Sequence, residues 1–257
     1  MDKATLVGIG GAFGVLMLAT ILEGGSPVAL VKIPAILLVI GGTLGAAMAG
    51  GTMADFKAAM AAGARAFTWK PQPAGELVPI IVELAGKARR EGLLTLEDGV
   101  KNVEDEFLQR GVKLAVDGTD PEDLRDILEC ELVAKKAGDK HVAKFYADMG
   151  GYAPTIGIIG TVMGLVHVLE NLSQPDKLGE LISAAFIATL WGVMSANVVF
   201  LPIGNRLTRM SQIETARMEL VIEGVLAVQA GANPRAVAQR LSSLLPAHER
   251  DDEKKAA

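Results

Sequence analysis

The stretch YAPTIGIIGTVMGLVHVLENL, from Tyr152 to Leu172, decides the fold. It is long and apolar with almost no charge, yet it holds Gly157, Gly160 and Gly164 and the hydroxyls of Thr155 and Thr161. A helix that only anchors a chain in lipid has no use for these groups. Glycines let helix backbones approach closely, and hydroxyls offer hydrogen bonds that hydrocarbon cannot. The stretch reads as a membrane helix packed against other helices and lining a polar path.

Working outward, three more runs reach the roughly 20 apolar residues, with a tolerance of a few, that a bilayer crossing needs. They are Ala4–Leu22, Ile33–Gly50 and Leu181–Ile203, which with Tyr152–Asn171 make four expected spans. Lys3 ahead of the first run invites a signal-peptide reading. The run is too long for an h-region, no A-x-A site follows and a second span comes at once, so a retained helix is expected. Half of the 257 residues are hydrophobic and 21% are charged, with the charge segregated away from the apolar runs.

Basic residues set the expected orientation. The connections at 23–32 and 172–180 hold only Lys32 and Lys177, while nearly all other Lys and Arg fall between Gly51 and Gly151 or after Asn205. The positive-inside rule then puts both termini and the middle segment in the cytoplasm. The expected organisation is a hairpin over 1–50, a cytoplasmic helical domain over 51–151, a second hairpin over 152–204, and cytoplasmic helices with a tail over 205–257. The class is an all-α integral membrane protein with four transmembrane helices. Small residues four apart, at Gly10/Gly14, Gly41/Gly45 and Gly160/Gly164, are candidate helix contacts, although glycine is common in membrane helices anyway.

The cytoplasmic segments carry helical patterns. Glu76–Arg90 puts Leu77, Ile80, Ile81 and Leu84 on one face, and Leu96–Leu114 repeats this with Val100, Val103, Phe107 and Leu108. Thr119 and Asp120 before Pro121, with Glu122 and Asp123 after it, predict a helix start running beyond Lys136. Gly231 is expected to close one helix, and Asn233-Pro234 to open another through Leu245. The charged residues from His248 onward are expected to fray.

Several function classes are excluded. The acidic balance, with no Lys/Arg-rich block interleaved with aromatics, argues against nucleic acid as a partner. His141, His167 and His248 are too scattered for a metal cluster, Cys130 has no second cysteine, and no phosphate loop or nucleophile elbow is present. No enzyme chemistry and no cofactor are expected. Within the spans the only ionisable groups are His167 and Glu170, toward one end of the third, so no carboxylate sits mid-membrane. A chain that moved ions alone would lack a group to bind and release them. One that surrounds a partner helix bearing an acid needs only a polar cleft, to which Thr161 and Thr189, in the middle of the third and fourth spans, can contribute. Each threonine can instead bond its own helix one turn back, as is common in membranes.

The runs ADMGGYAPTIGIIGTVMGLVHVLENL and AAFIATLWGVMSANVVFLPI resemble the third and fourth spans of the flagellar motor stator A subunits, the MotA/PomA family. MDKATLVGIGGAFG, LLVIGGTLGA, ARREGLLTLED and VIEGVLAVQAGANPRAVAQRL extend the resemblance over nearly the whole chain. It implies a bacterial inner-membrane protein forming a homopentamer around two copies of a MotB/PomB-type subunit, whose single transmembrane helix carries the ion-binding Asp. It also implies torque on the rotor protein FliG. Arg89 and Glu97 match positions that contact charged groups on the rotor, with Arg90 and Asp98 beside them. Pro154 and Pro202 match the family's two prolines, implying conformational coupling between the ion site and the cytoplasmic helices, although a static kink would serve as well. Thr161 and Thr189 match the ion pathway. The transported ion is read as H+, with Na+ as the alternative, since oxygen ligands suit a hard cation and also order water. The more distant ExbB/TolQ subunits give an alternative role in energising envelope transport or gliding. ARREGLLTLED in a large cytoplasmic domain discriminates against that role. A four-helix structural protein without ion flux is a third reading.

Overall fold

Each apolar run folds as a helix, and polar side chains at the joints set where helices begin. The structure, a computed structural model, describes residues 4–100, 103–247 and 249–250, with the backbone but not the side chain of Asp98. Every regular element among them is helical. In chain order the helices are α1 (Ala4–Leu22), α2 (Ile33–Ala49), α3 (Met53–Thr68), α4 (Leu77–Glu91), α5 (Leu96–Val100), α6 (Glu106–Val116), α7 (Pro121–Glu170), α8 (Pro175–Gln229) and α9 (Pro234–Leu244). Short 3-10 turns punctuate the joints, and π-helical turns fall within α2 at Leu37–Gly41 and within α8 at Ser195–Phe200. α1, α7 and α8 are long and apolar enough to cross a membrane, whereas the apolar α2 is shorter.

The third and fourth apolar runs are parts of longer helices. α7 runs 50 residues from Pro121 without a break. Asp120 Oδ1 accepts from the Glu122 N–H at 2.9 Å and caps its start. The helix continues past Tyr152, with Gly150 and Gly151 helical and Pro154, which lacks a backbone donor and crowds the Gly150 carbonyl, accommodated inside it. α8 likewise runs 55 residues. The pattern expected over Leu96–Leu114 is interrupted, a correction with a local cause. Asp105 adopts extended backbone and its Oδ1 accepts from the Leu108 N–H at 2.8 Å, so a new helix begins there. Gly231, at φ +65°, ends α8, and Asn233 caps α9 by accepting from the Arg235 N–H, both as expected. The tail expected to fray from His248 lies outside the described residues, except for Glu249 and Arg250.

Two compact units divide the chain. One comprises Met1–Lys70 with Asp139–Arg209, the other Pro71–Gly138 with Met210–Ala257. In the first, a Cβ on Gly160 would lie 2.7 Å from Ala188 Cβ, and one on Gly164 2.5 Å from Ala185 Cβ. That expected glycine pair is therefore a real helix contact. Gly10, Gly14, Gly41 and Gly45 meet nothing within 4 Å, and α1 buries no residue in its own chain. The connection before α2 is pinned to α8 by Lys32–Glu180 at 3.0 Å and by the Trp191 indole donating to the Leu30 carbonyl at 2.8 Å. Thr52 and Asp55 form a capping box at the start of α3, and the Thr52 hydroxyl holds the Asp55 carboxyl below the usual carboxylate range.

The second unit has an ordinary apolar core, with Leu77, Ile81, Leu96, Leu108, Leu124, Leu128, Leu220 and Leu241 fully buried. Burying a leucine fully is worth about 1.5–3 kcal/mol relative to exposure, so this unit is stabilised as a water-soluble domain is. Arg217 Nε donates to Asp105 Oδ2 at 2.7 Å with both side chains largely buried, so one carboxylate caps α6 and neutralises the cation.

Candidate functional site

Two glycines bring α7 and α8 together around a polar pair. A Cβ on Gly157 would lie 2.9 Å from the Ala188 carbonyl oxygen and 3.1 Å from Gly192 Cα, while one on Gly192 would lie 2.6 Å from the Ala153 carbonyl oxygen. Neither position has room for a side chain, and the backbones approach accordingly. Thr161, one turn beyond Gly157, and Thr189, one turn before Gly192, are thereby placed face to face.

Their hydroxyls are hydrogen-bonded to each other. Thr161 Oγ1 also lies 3.2 Å from the Gly157 carbonyl oxygen and 3.1 Å from that of Ala185, and Thr189 Oγ1 lies 3.3 Å from the Gly157 carbonyl oxygen. Thr161 reaches its own helix one turn back, as one expectation had it, and the neighbouring helix as well, whereas Thr189 bonds across to α7. The cluster presents four oxygens and two hydroxyl protons, half-buried, with no fixed charge. Such a set can ligate a hard cation weakly, order water, or donate to a carboxylate brought against it. Among the described residues no group of three or more His, Cys, Asp or Glu could hold a metal ion.

The other expected site residues fall on four helices. Pro154 lies inside α7, seven positions before Thr161, which is roughly 10 Å along a helix axis. Pro202 lies two residues past the end of the Ser195–Phe200 π-turn of α8, where a widened turn is close to a missing backbone donor. Arg89 and Arg90 are exposed in the last turn of α4, where cations suit the helix dipole, and Gly92, at φ +88°, ends that helix. Glu97 is exposed on α5; Asp98 is helical there, and its side chain lies outside the described part.

Gly192 and its small neighbours Ala185 and Ala188 escaped the sequence reading. Their spacing of three and four along α8 was the available signal. The sequence reading named His167 and Glu170 but did not join them to Lys32 and Glu180. His167 Nδ1 lies 3.2 Å from Glu170 Oε2, and His167, Lys32 and Glu180 edge a cleft of about 750 Å3 whose walls include Leu38, Gly160 and Ala188.

Comparison with known proteins gives consistent matches. Residues 99–220 match the model of the MotA/TolQ/ExbB proton channel family. Motility protein A of Bacillus subtilis is 39% identical over 97% of this chain and 93% of its own length. Chemotaxis protein PomA of Vibrio alginolyticus is 35% identical over 95% of this chain and 96% of its own. The solved flagellar MotAB stator complex from Bacillus subtilis contains a chain that superposes with a TM-score of 0.90 at 39% identity, covering 97% of this chain and 99% of that one. A chain of the C. jejuni MotAB structure gives 0.91 at 29% identity, covering 96% and 97%.

Proposed function

The chain belongs to the motility protein A family, and we propose that, as an ion-conducting stator subunit of a flagellar motor, it couples proton flow to torque on the rotor. The observation that carries this reading is the Thr161–Thr189 hydroxyl pair, set between two closely packed apolar helices. A wall of this kind can stabilise an acid on a partner without trapping the ion itself. The acid comes from a MotB-type partner, in keeping with the MotAB complexes among the solved relatives.

In the finer reading α1, α2, the later part of α7 and the first part of α8 make four spans with both termini in the cytoplasm of the inner membrane. Five copies surround two B subunits, and an Asp on each B helix takes up and releases the ion against the hydroxyl pair. Pro154 and Pro202 relay that change to the cytoplasmic helices, where Arg89, Arg90, Glu97 and Asp98 push on FliG through brief charge contacts. Exposed ion pairs worth at most about 1 kcal/mol suit contacts that must be made and broken at every step. The family model groups MotA with TolQ and ExbB. The relatives matched over nearly their whole length are motility and chemotaxis proteins, which favours torque over envelope transport.

Swimming speed tests the coupling ion. Cells relying on this subunit and its cognate partner are followed while external sodium is exchanged for potassium at fixed pH, with a protonophore arm alongside. Proton coupling predicts a speed indifferent to sodium and lost with the protonophore. A speed that tracks sodium overturns it and gives Thr161 and Thr189 a direct ligand role.

A further inference from the structure

α3 leaves the apolar α2 after only Gly50, Gly51 and Thr52, so it is held at the edge of whatever membrane α2 enters. One face is committed to α7. The Tyr146 hydroxyl donates to the Ala59 carbonyl at 3.0 Å, and a Cβ on Gly63 would fall 1.9 Å from that same hydroxyl oxygen. The opposite face, with Ala54, Lys57, Ala58, Ala61 and Arg65, is exposed, small and cationic, and carries no carboxylate. Asp55 is turned back into its capping box. Trp69 caps the end of the helix with the Arg206 guanidinium 5.2 Å over its ring, and Lys70 follows, exposed.

The charge around this helix opposes that of the molecule. Residues 50–70, 139–151 and 203–209, which flank the apolar runs on one side, hold seven Lys and Arg against three Asp, a net of +4 in a chain whose net charge is −5. Lys57, Lys70 and Lys140 are all exposed within this band. A second copy docked α3 against α3 would bring like charges together and be repelled. An anionic bilayer surface complements the charge, and an indole beside cations is the side-chain pairing that settles at headgroup depth.

We infer that the outer face of α3, with Lys57 and Lys70, together with the exposed Lys140 of the same basic band, is a docking surface for anionic phospholipid headgroups. The inference rests on the membrane-embedded reading and not on torque. Held this way, α3 fixes the depth of the first hairpin in the leaflet, and its affinity for lipid falls with ionic strength.

Trp69 reports on the surface directly, because the chain has only one other tryptophan, Trp191. The full chain carrying Trp191→Phe is reconstituted in liposomes, and Trp69 fluorescence is quenched with dibrominated phosphatidylglycerol or dibrominated phosphatidylcholine. The expected association constant is about fivefold or more in favour of phosphatidylglycerol, shrinking as salt rises. It falls to near parity in Lys57→Gln/Lys70→Gln/Lys140→Gln and persists in the corresponding Arg triple variant. If Trp191→Phe does not assemble, the difference between the parent protein and Trp69→Phe isolates the same indole. Equal quenching by the two lipids in the parent overturns the proposal and points to a protein covering the face, as does a preference indifferent to salt or to the Gln substitutions. Since no arm reads motility, failure here is separable from failure of the stator assignment.

Discussion

Thr189 matters for its hydroxyl. Its Oγ1 meets Thr161 and the Gly157 carbonyl across the helix contact, and valine keeps the shape while removing every one of these bonds. We expect Thr189→Val to abolish motility with membrane abundance and partner co-purification unchanged; full swimming in soft agar would remove Thr189 from the pathway. The two threonines were legible from sequence because a hydroxyl in an apolar run stands out. Gly192 was not, because it lies outside the Gly157, Gly160, Gly164 series and becomes meaningful only when α8 is laid against α7.

Helices and their joints follow a similar division. Long apolar runs announce themselves through length, and the expected caps at Asp120 and Asn233 formed because a short polar side chain competes well for the first free N–H groups. The break at Asp105 was hidden by the apolar spacing that continues through it. Its carboxylate also binds Arg217, 112 residues away in sequence, and no local pattern records that. Arg217→Ala leaves this carboxylate buried without its cation and is expected to cost about 3 kcal/mol, read as a lowered denaturation midpoint of the purified protein. Pro154 gives the opposite kind of expectation. Alanine restores one backbone donor within α7 and stiffens it, so Pro154→Ala should assemble normally yet swim poorly; normal spreading in soft agar would count against a coupling role.

At the scale of the molecule, the first hairpin leaves much of its apolar surface uncovered. α1 buries none of its residues, and a Cβ at Gly10, Gly14, Gly41 or Gly45 would meet nothing within 4 Å, so these positions are open to lipid or to another chain, whereas Gly160 and Gly164 pack within this one. Native mass spectrometry of the complex with its B subunit is expected to give five A chains to two B chains, and another ratio would revise the ring. The expected ring was read only from the family resemblance, since apolar spacing does not tell a face that meets lipid from one that meets another chain. The hydroxyl pair has a further consequence for how such a ring would work. Thr161 has three acceptors in reach and one hydrogen to give, and the Gly157 oxygen can serve either threonine. The cluster is degenerate: several bonding patterns share one set of heavy-atom positions and interconvert by rotating a single C–O bond. Such rotations need no repacking of the helices, so the electrical character of the wall can be rewired far faster than the microseconds to milliseconds typical of collective rotation.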